Sequence, residues 1–254
     1  MNYKLLKKEF VMKGRVKLYR IEAIKDIPIH EVKKGDKGGY IEKVDNLTDN
    51  AWVCGNARVY GNAEVSDNAR VYGNAEVYGD AMVYGEVRVY DNAYVCDNAE
   101  VYGSAVVYGN AGVSDNARVY GNAGVYGDAW VYGNAGVCGN ARVYGNAEVC
   151  DARVYGNAVV YGDARVYGSA KVYGNARVYG DARINKGKLT KLLKTVSLFD
   201  YTISIGAGFV FCGCKRWSYA KFKKLEYKDI EDEVAITKKQ FSDIKKMVLL
   251  GIGI

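Results

Sequence analysis

The sequence predicts an all-β fold, a parallel β-solenoid, from three features of its middle section. An aliphatic residue recurs every six residues from Leu47 to Val149 and, after one step of five residues, from Val154 to Ile184, which makes 24 hexads. A small residue, usually alanine, lies two positions before the aliphatic one, and a pair such as Gly-Asn separates the hexads. Self-similarity at a short fixed period indicates a repeat architecture, so we expect short strands that stack along a rod.

Each hexad contains one short strand and one corner. Side chains alternate across a strand, so in "ARVY" (57–60) the alanine and valine share the inward side, while the arginine and tyrosine point outward. Glycine adopts positive φ at little cost and asparagine tolerates it better than most residues, which suits the Gly-Asn pair to a corner. A single hexad cannot bury its valine and alanine, so successive turns of the chain must stack in register.

The order aliphatic, x, x, x, small, x, as in "VYGNAR" (172–177), resembles the hexapeptide repeat of left-handed parallel β-helices over residues 47–184. The resemblance implies left-handed winding and three hexads in each triangular coil. About eight coils would then form a rod of roughly 38 Å, at ~4.8 Å between neighbouring strands. Tyrosine after the aliphatic residue departs from those families, which often have glycine or another small residue there, but it points outward and leaves the interior unchanged.

The segments on either side of the repeat are expected to close its ends, because an open solenoid exposes unpaired strand edges. Residues 1–46 are predicted to form a β cap, with two strands around "MKGR" (12–15) and a glycine-rich loop, "KKGDKGGYIEKVDNL" (33–47), that leads into the first coil. Residues 185–254 are predicted to form a C-terminal cap. It would contain a β-hairpin in "YTISIGAGFVFCGCKRWS" (201–218) and two short helices, with capping-box spacing at Thr237 and Gln240.

These end segments carry a second resemblance. "GDKGGYIEKVDNL" (35–47) before the repeat and "CGCKRW" (212–217) after it are similar to a group of hexapeptide-repeat proteins of bacteria and their prophages, the YdcK-like proteins among them. The resemblance implies a shared architecture and an origin in a prophage, and it offers no agreed activity.

Three hexads per coil would stack residues 18 apart, so each face of the rod can be read from the sequence. One face has an unbroken outward column of tyrosines beside a column that contains four arginines, whereas the other two faces interrupt their tyrosines with serine and cysteine. The tyrosines are Tyr72, Tyr90, Tyr108, Tyr126, Tyr144, Tyr161 and Tyr179, the arginines are Arg70, Arg88, Arg142 and Arg177, and the interruptions are Ser66, Cys96, Ser114, Cys138 and Cys150.

Stacked aromatic rings support a β-sheet, which is the simplest interpretation of the tyrosine column. A flat aromatic face dotted with arginine is also typical of a protein interface. We therefore predict a homo-oligomer, a trimer by analogy with the families that the repeat resembles, or a protein partner at this face. Aromatic platforms also take nucleic acid bases, but the acidic balance of residues 47–184 disfavours a phosphate backbone along the rod.

The only histidine of the chain is the one candidate for a general base. Many left-handed β-helix proteins are acyltransferases with a histidine as general base and an acyl-CoA between the coils of a trimer. Here His30 lies in "DIPIHEVKKGD" (26–36), outside the repeat, and the coils contain no inserted loop. We predict a non-catalytic structural or binding protein without a cofactor. The alternatives are an acyl-CoA-dependent acyltransferase that uses His30 and an oligomer that sequesters a small ligand, such as a nucleotide, between packed rods.

The cysteines predict a reducing compartment and no metal. Four of them, Cys54, Cys96, Cys138 and Cys150, are expected at outward positions. The two on a common face, Cys96 and Cys150, would be three coils or about 14 Å apart, too far for a disulfide. Free thiols suit the cytoplasm. Cys212 and Cys214 lack the spacing of a zinc site.

Charge and hydropathy predict a soluble protein. The formal net charge is +7, with an acidic repeat between two lysine-rich ends, and scattered lysines of this kind usually form solvated faces. The first residues, "MNYKLLKKEFVMKGRV" (1–16), lack the apolar core of a secretory signal, and "MVLLGIGI" (247–254) is too short to span a bilayer. We expect a cytoplasmic protein that does not bind membranes.

Overall fold

The computed structural model describes residues 1–184, 188–189, 194–198, 201–206, 209–212, 215–230 and 237–252. The chain forms a parallel β-solenoid of about 8 turns, which confirms the predicted fold class. Three parallel sheets run along the rod, and each sheet takes every third strand of the chain. We call these sheets faces 1, 2 and 3.

The strands of the solenoid are mostly two to four residues long, as expected for a six-residue repeat with a corner in every hexad. Face 1 contains Lys37–Ile41, Arg58–Val59, Glu76–Val77, Tyr94–Val95, Gly112–Val113, Trp130–Tyr132, Glu148–Cys150, Arg165–Tyr167 and Arg183–Ile184. Face 2 contains Trp52–Val53, Arg70–Val71, Arg88–Val89, Val106–Val107, Gly124–Val125, Arg142–Val143, Val159–Val160 and Arg177–Val178. Face 3 contains Glu64–Val65, Met82–Val83, Glu100–Gly103, Arg118–Gly121, Gly136–Gly139, Arg153–Val154, Lys171–Val172 and Lys188–Leu189.

Neighbouring coils are in register at the predicted interval of 18 residues. On face 2, Val107 pairs with Val89 on one side and with Val125 on the other. Across the shortened hexad "VCDAR" (149–153) the interval falls to 17, and Val143 pairs with Val160. The inward aliphatic residues therefore remain stacked on one another after the deletion, as Val166 on Ile184 shows.

The interior of the rod is a continuous column of valine and alanine. Ala105 and Val107 each have 0% of their surface exposed, and the same holds for nearly every alanine and valine of the repeat. Burial of a valine side chain contributes about 1.5 kcal/mol or more. The stability of the rod thus comes from many small identical contributions along one core.

The first corner residue of each hexad has the left-handed backbone conformation. It is a glycine at most corners, such as Gly109 with φ 75°, and an aspartate at others, such as Asp91 with φ 59°. No corner asparagine in the described part of the chain has positive φ, so asparagine does not share this role as we expected. Its side chain instead links coils, as in the hydrogen bond of 3.0 Å from Asn74 Nδ2 to Asn92 Oδ1.

The N-terminal segment begins with strands β1 (Tyr3–Lys13) and β2 (Val16–Ala23), which pair as an antiparallel hairpin. Strand β2 then pairs antiparallel with β3 (Lys37–Ile41), and β3 pairs parallel with the next strand of face 1, where Ile41 lies opposite Val59. Two short 3-10 helices, Pro28–His30 and Val44–Asn46, flank β3. The predicted pair of strands around "MKGR" is confirmed.

Residues 37–41 of the glycine-rich segment that we expected to be a loop form the first solenoid strand, β3. Gly38 and Gly39 of this strand serve close packing, whereas Gly35 before it has φ 93° and lies in a turn. A Cβ at Gly39 would lie 2.6 Å from the carbonyl oxygen of Ala57, and a Cβ at Gly38 would collide with the side chain of Ile21. The glycines allow the chain to run directly between β2 and the following coil.

The C-terminal segment contains a four-stranded antiparallel sheet where we expected one hairpin. The strands are Lys194–Leu198, Tyr201–Gly206, Phe209–Cys212 and Lys215–Ser218, paired in chain order. Helices α1 (Tyr219–Lys224) and α2 (Lys238–Ile252) follow, with a 3-10 helix, Tyr227–Asp229, between them. The capping box is confirmed, because Thr237 N donates to Gln240 Oε1 at 2.8 Å and Gln240 N donates to Thr237 Oγ1 at 3.3 Å.

Candidate functional site

Seven tyrosines stack along face 2 from its second strand to its last. Successive ring centroids are 4.7 to 5.3 Å apart, and the ring planes differ by 3 to 20°. We call this set the tyrosine ladder. Its members are Tyr72, Tyr90, Tyr108, Tyr126, Tyr144, Tyr161 and Tyr179. The spacing matches the ~4.8 Å between neighbouring strands, so each ring repeats the position of the one before it.

The ladder shields its own phenols from water. Burial raises the pKa of Tyr90, Tyr126 and Tyr161. Burial also raises the pKa of Tyr72, although the positive charges of Arg88 and Arg70 oppose this effect. These phenols are therefore neutral at physiological pH and present flat apolar rings with hydroxyl groups.

A second outward column on face 2 carries positive charge beside the ladder. The guanidinium of Arg70 lies 5.1 Å from the centroid of the Tyr72 ring, within the range of a cation–π interaction, and its Nη2 is 3.8 Å from Cys54 Sγ. Arg88, Arg142 and Arg177 make no ion pair with any described residue. Neither outward column of this face contains a carboxylate.

The other two faces have interrupted tyrosine columns. On face 3, Tyr84, Tyr102 and Tyr120 stack, Cys138 replaces the next ring, and stacking resumes from Tyr155 to Tyr173. On face 1, the column begins with one stacked pair, Tyr60 and Tyr78. The positions that follow are Cys96, Ser114, Tyr132, Cys150 and Tyr167. Among the described strands, therefore, only those of face 2 carry an unbroken ladder, which runs from the second strand of that face to its last.

His30, the candidate base, is buried, with 7% of its surface exposed. Burial and the positive charge of Arg70 lower the pKa of His30. A hydrogen bond with the Asn50 backbone raises this pKa, but the net shift is downward. Its Nε2 has no hydrogen-bond partner in the described structure. The imidazole is therefore neutral at pH 7, and none of its hydrogen bonds in the described part of the chain is to a carboxylate that could orient it as a base.

Cys96 is an exception to the prediction of exposed thiols. It occupies an outward position, yet only 6% of its surface is exposed, because Tyr78 of the neighbouring coil packs beside it. Burial raises the pKa of Cys96 to about 11. Cys54, Cys138 and Cys150 are partly exposed, and all four cysteines of the repeat are free thiols.

Glu76 is a buried polar residue that the sequence did not single out. It points outward from face 1 with 5% of its surface exposed. Its carboxylate accepts hydrogen bonds from Lys13 at 2.8 Å, from Arg58 at 2.8 Å and from Tyr60 at 3.0 Å. The outward columns on faces 1 and 2 are thus different environments, one with a buried carboxylate and one with unpaired arginines.

The described residues offer neither a metal site nor a membrane-spanning helix. No group of three His, Cys, Asp or Glu side chains among them is arranged to hold a metal ion. Cys214 lies outside the described residues, and so does the side chain of Cys212. No described helix combines the length and the apolar character needed to cross a membrane.

The stacked coils, the uniform Val-Ala core and the repeated corners define a parallel β-solenoid repeat protein. A family model described as the YdcK beta solenoid repeat matches residues 51–66, 111–127, 152–168, 160–174 and 170–185. The chain thus contains YdcK-like β-solenoid repeats, which confirms the resemblance drawn from its sequence. No curated protein matches the chain.

Proposed function

We propose that the protein is a structural scaffold that assembles with copies of itself through face 2. The observation that carries the proposal is the unbroken tyrosine ladder beside arginines that lack ion-pair partners. Tyrosine and arginine are enriched at protein interfaces and supply most of the binding energy there. A flat surface about 38 Å long, at ~4.8 Å per strand, offers such groups in a rigid array that loses little conformational entropy on binding.

The charge of face 2 favours a ring of copies over an antiparallel two-fold dimer. In a dimer through this face whose two-fold axis runs across the rod, the arginine column would meet itself, and like charges would repel. A cyclic assembly instead sets face 2 of one copy against a different surface of the next. Face 1 exposes Tyr94 and Trp130, at 37% and 43%, which are suitable partners for arginine through cation–π contacts. This argument supports the trimer expected from the sequence.

Light scattering on variants of the ladder tests this proposal. The double variant Tyr108→Ser/Tyr126→Ser removes two central rings and should lower the mass in solution toward that of one chain. The matched control, Tyr84→Ser/Tyr102→Ser, removes two stacked rings from face 3 and should leave the mass unchanged. Circular dichroism should show that both variants keep the solenoid. A wild type that is monomeric, or a ladder variant with the wild-type mass, would contradict the proposal.

The end segments are proposed to close the solenoid. What supports this role at the N-terminal end is that Ile21 and Ala23 of β2 belong to the same buried cluster as the valines of the first coils. The proposed domains are residues 1–46, 47–184 and 185–254, although the solenoid sheets themselves extend from β3 to Lys188–Leu189. Left-handed winding, an origin in a prophage and a cytoplasmic location belong to the same proposal.

We further propose that the scaffold does not use His30 for catalysis. The burial of the imidazole and the lack of a carboxylate among its hydrogen-bond partners in the described structure support this view. Titration calorimetry with acetyl-CoA distinguishes it from the acyltransferase alternative. The scaffold should give no binding heat, whereas saturable binding that His30→Gln weakens would favour an acyltransferase.

A further inference from the structure

The tyrosine column of face 3 lacks one ring in its middle. The centroids of Tyr102 and Tyr120 are 4.8 Å apart, and those of Tyr155 and Tyr173 are 4.9 Å apart. Between these pairs lies Cys138, whose neighbours across the sheet are Tyr120 on one side and the coil of Tyr155 on the other. The thiol, which hydrogen-bonds with the Tyr120 side chain, is much shorter than a phenol ring, so a space remains between Tyr120 and Tyr155, which are two coils apart.

A second space lies beside the first, in the other outward column of the same coil. Gly136 is paired with Arg118 on one side and with Arg153 on the other. A Cβ at Gly136 would have only the Arg153 Cγ, at 3.9 Å, within contact distance. Together the two spaces form one cleft of about 540 Å³. Lys171, which is paired with Arg153 and lies two coils from Gly136, also lines this cleft.

The cleft is positively charged. Arg118 is paired with Glu100 at 3.2 Å, but Arg153 and Lys171 make no ion pair with any described residue. Two carboxylates at the nearby corners are already engaged. Asp115 Oδ2 accepts from Gly133 N at 2.9 Å, and Asp151 Oδ1 accepts from Asn134 N at 2.8 Å.

We propose that this cleft binds a mononucleotide. The base would fill the missing ring position and stack between Tyr120 and Tyr155, at about the ~4.8 Å spacing of the column on each side. The phosphate would lie over Gly136 and contact Arg153 and Lys171. The two outward columns are two residues apart on each strand, roughly 7 Å, which is close to the separation of base and phosphate in a nucleotide.

The chemistry of the lining fits this ligand class. Aromatic side chains bind nucleobases by stacking with little preference among bases, and guanidinium groups bind phosphate through paired hydrogen bonds. The cleft offers both on a rigid sheet, with the two kinds of group at fixed separation. We therefore expect weak discrimination among bases and a strong requirement for the phosphate.

A second break in a tyrosine column provides an internal comparison. On face 1, Cys150 lies between Tyr132 and Tyr167, and a cleft of about 310 Å³ results. Here Glu148 lies where Gly136 lies on face 3, and its carboxylate is paired with Arg165 at 3.2 Å. A phosphate would meet this carboxylate, so the cleft at Cys150 should not bind a nucleotide.

Titration calorimetry of the full chain with AMP at low ionic strength tests the proposal. Cys138→Tyr should fill the missing ring position and weaken AMP binding at least tenfold, whereas Cys150→Tyr, the matched change on face 1, should leave it unchanged. Arg153→Gln/Lys171→Gln should also weaken AMP binding at least tenfold. The same double variant should change the weaker binding of adenosine by less than twofold, because adenosine lacks the phosphate.

Several results would overturn the proposal. They are no saturable AMP or UMP binding to the wild type up to millimolar concentration, unchanged affinity in Cys138→Tyr, or inorganic phosphate that binds as tightly as AMP. If Cys138→Tyr does not fold, Gly136→Asp gives the same test, because its carboxylate would take the position of the phosphate. Wild-type affinity in that variant would equally contradict the proposal. Monomeric protein with intact AMP binding would disprove the assembly through face 2 and leave this cleft in place.

Discussion

Lys13 and Glu76 are 63 residues apart in the sequence, and the Lys13 ammonium lies 2.7 and 2.8 Å from the two carboxylate oxygens of Glu76. The contact joins the end of β1 to the second strand of face 1 within the repeat. The N-terminal hairpin is therefore attached to the rod in two ways, through the pairing of β2 with β3 and through this ion pair on the outer surface of face 1.

The first prediction concerns Glu76. Burial favours the neutral acid, but the hydrogen bonds from Lys13, Tyr60 and Arg58 outweigh this effect and lower the pKa below its ordinary 4.5. A lowered pKa stabilises the fold above pH 4.5, and that contribution is lost as the pH falls through the native value. Glu76→Gln should cost about 2 kcal/mol at pH 7, and the difference should shrink below about pH 4.

Hydrogen exchange of the β1 and β2 amides measures this effect, because the repeat need not unfold as one unit. Glu64→Gln is the matched control, since Glu64 has the equivalent position on face 3, is exposed and has no ion pair in the described structure. Equal protection of the hairpin in Glu76→Gln and the wild type at pH 7 would argue against the predicted role.

The second prediction concerns the corners. Gly109 has φ 75°, and a Cβ there would lie 2.9 Å from the backbone nitrogen and oxygen of Gly127 in the next coil. Gly109→Ala should destabilise the rod by about 1–3 kcal/mol, from backbone strain and the clash together. Gly124 lies in a strand, and a Cβ there would meet only the Tyr126 ring at 3.5 Å. Gly124→Ala should therefore be neutral or stabilising in thermal unfolding, and equal losses in both variants would contradict the argument.

The third prediction concerns the amide stacks at the corners. Asn92 accepts from Asn74 Nδ2 at 3.0 Å and donates to Asn110 Oδ1 at 3.1 Å. Asn92→Ala should cost about 1–2 kcal/mol, because both hydrogen bonds are lost. Asn92→Asp keeps the acceptor and should cost less at neutral pH. Denaturant unfolding of the two variants checks this order, and an aspartate variant no more stable than the alanine variant would disprove the donor-to-acceptor chain.

The fourth prediction concerns the tyrosine ladder at alkaline pH. Burial raises the pKa of Tyr72, Tyr90 and Tyr126 above 10.0. A raised pKa of a phenol stabilises the fold below pH 10, and this contribution disappears as the pH rises through the native value. Absorbance at the phenolate band should thus show tyrosines that titrate later in the native protein than in guanidinium. Superimposable native and denatured titration curves would refute the prediction.

The sequence predicts the solenoid well because the fold repeats one local rule. Alternation within each strand places Ala105 and Val107 inside, and both are fully buried as expected. The interval of 18, or 17 across the shortened hexad, then gives the pairing of each coil from the pairing of one. A fold whose contacts all lie at one constant separation leaves few alternatives to consider.

The sequence does not predict contacts between residues whose separation along the chain differs from the repeat interval. The glycines of β3 were interpreted as a loop, because only the distant Ile21 and the next coil show why their side chains must be absent. The partner of Glu76 comes from the N-terminal hairpin, outside the repeat. The cleft at Cys138 was partly visible in the sequence as a break in a tyrosine column, but its cations could be assigned only after the coils were in register.

Asp151 shows how the rod tolerates a change in the length of its chain. At other corners the asparagine N–H donates to a backbone carbonyl of the next coil, as Asn116 does to Gly133 at 3.0 Å. Asn134 instead donates to the side-chain Oδ1 of Asp151 at 2.8 Å, where the shortened hexad has one residue fewer. The carboxylate of Asp151 thus accepts the hydrogen bond that a backbone carbonyl accepts at the other corners. Single-residue deletions at such corners need not disturb the frame of the helix, so related rods can differ in residue number while they keep the same number of rungs.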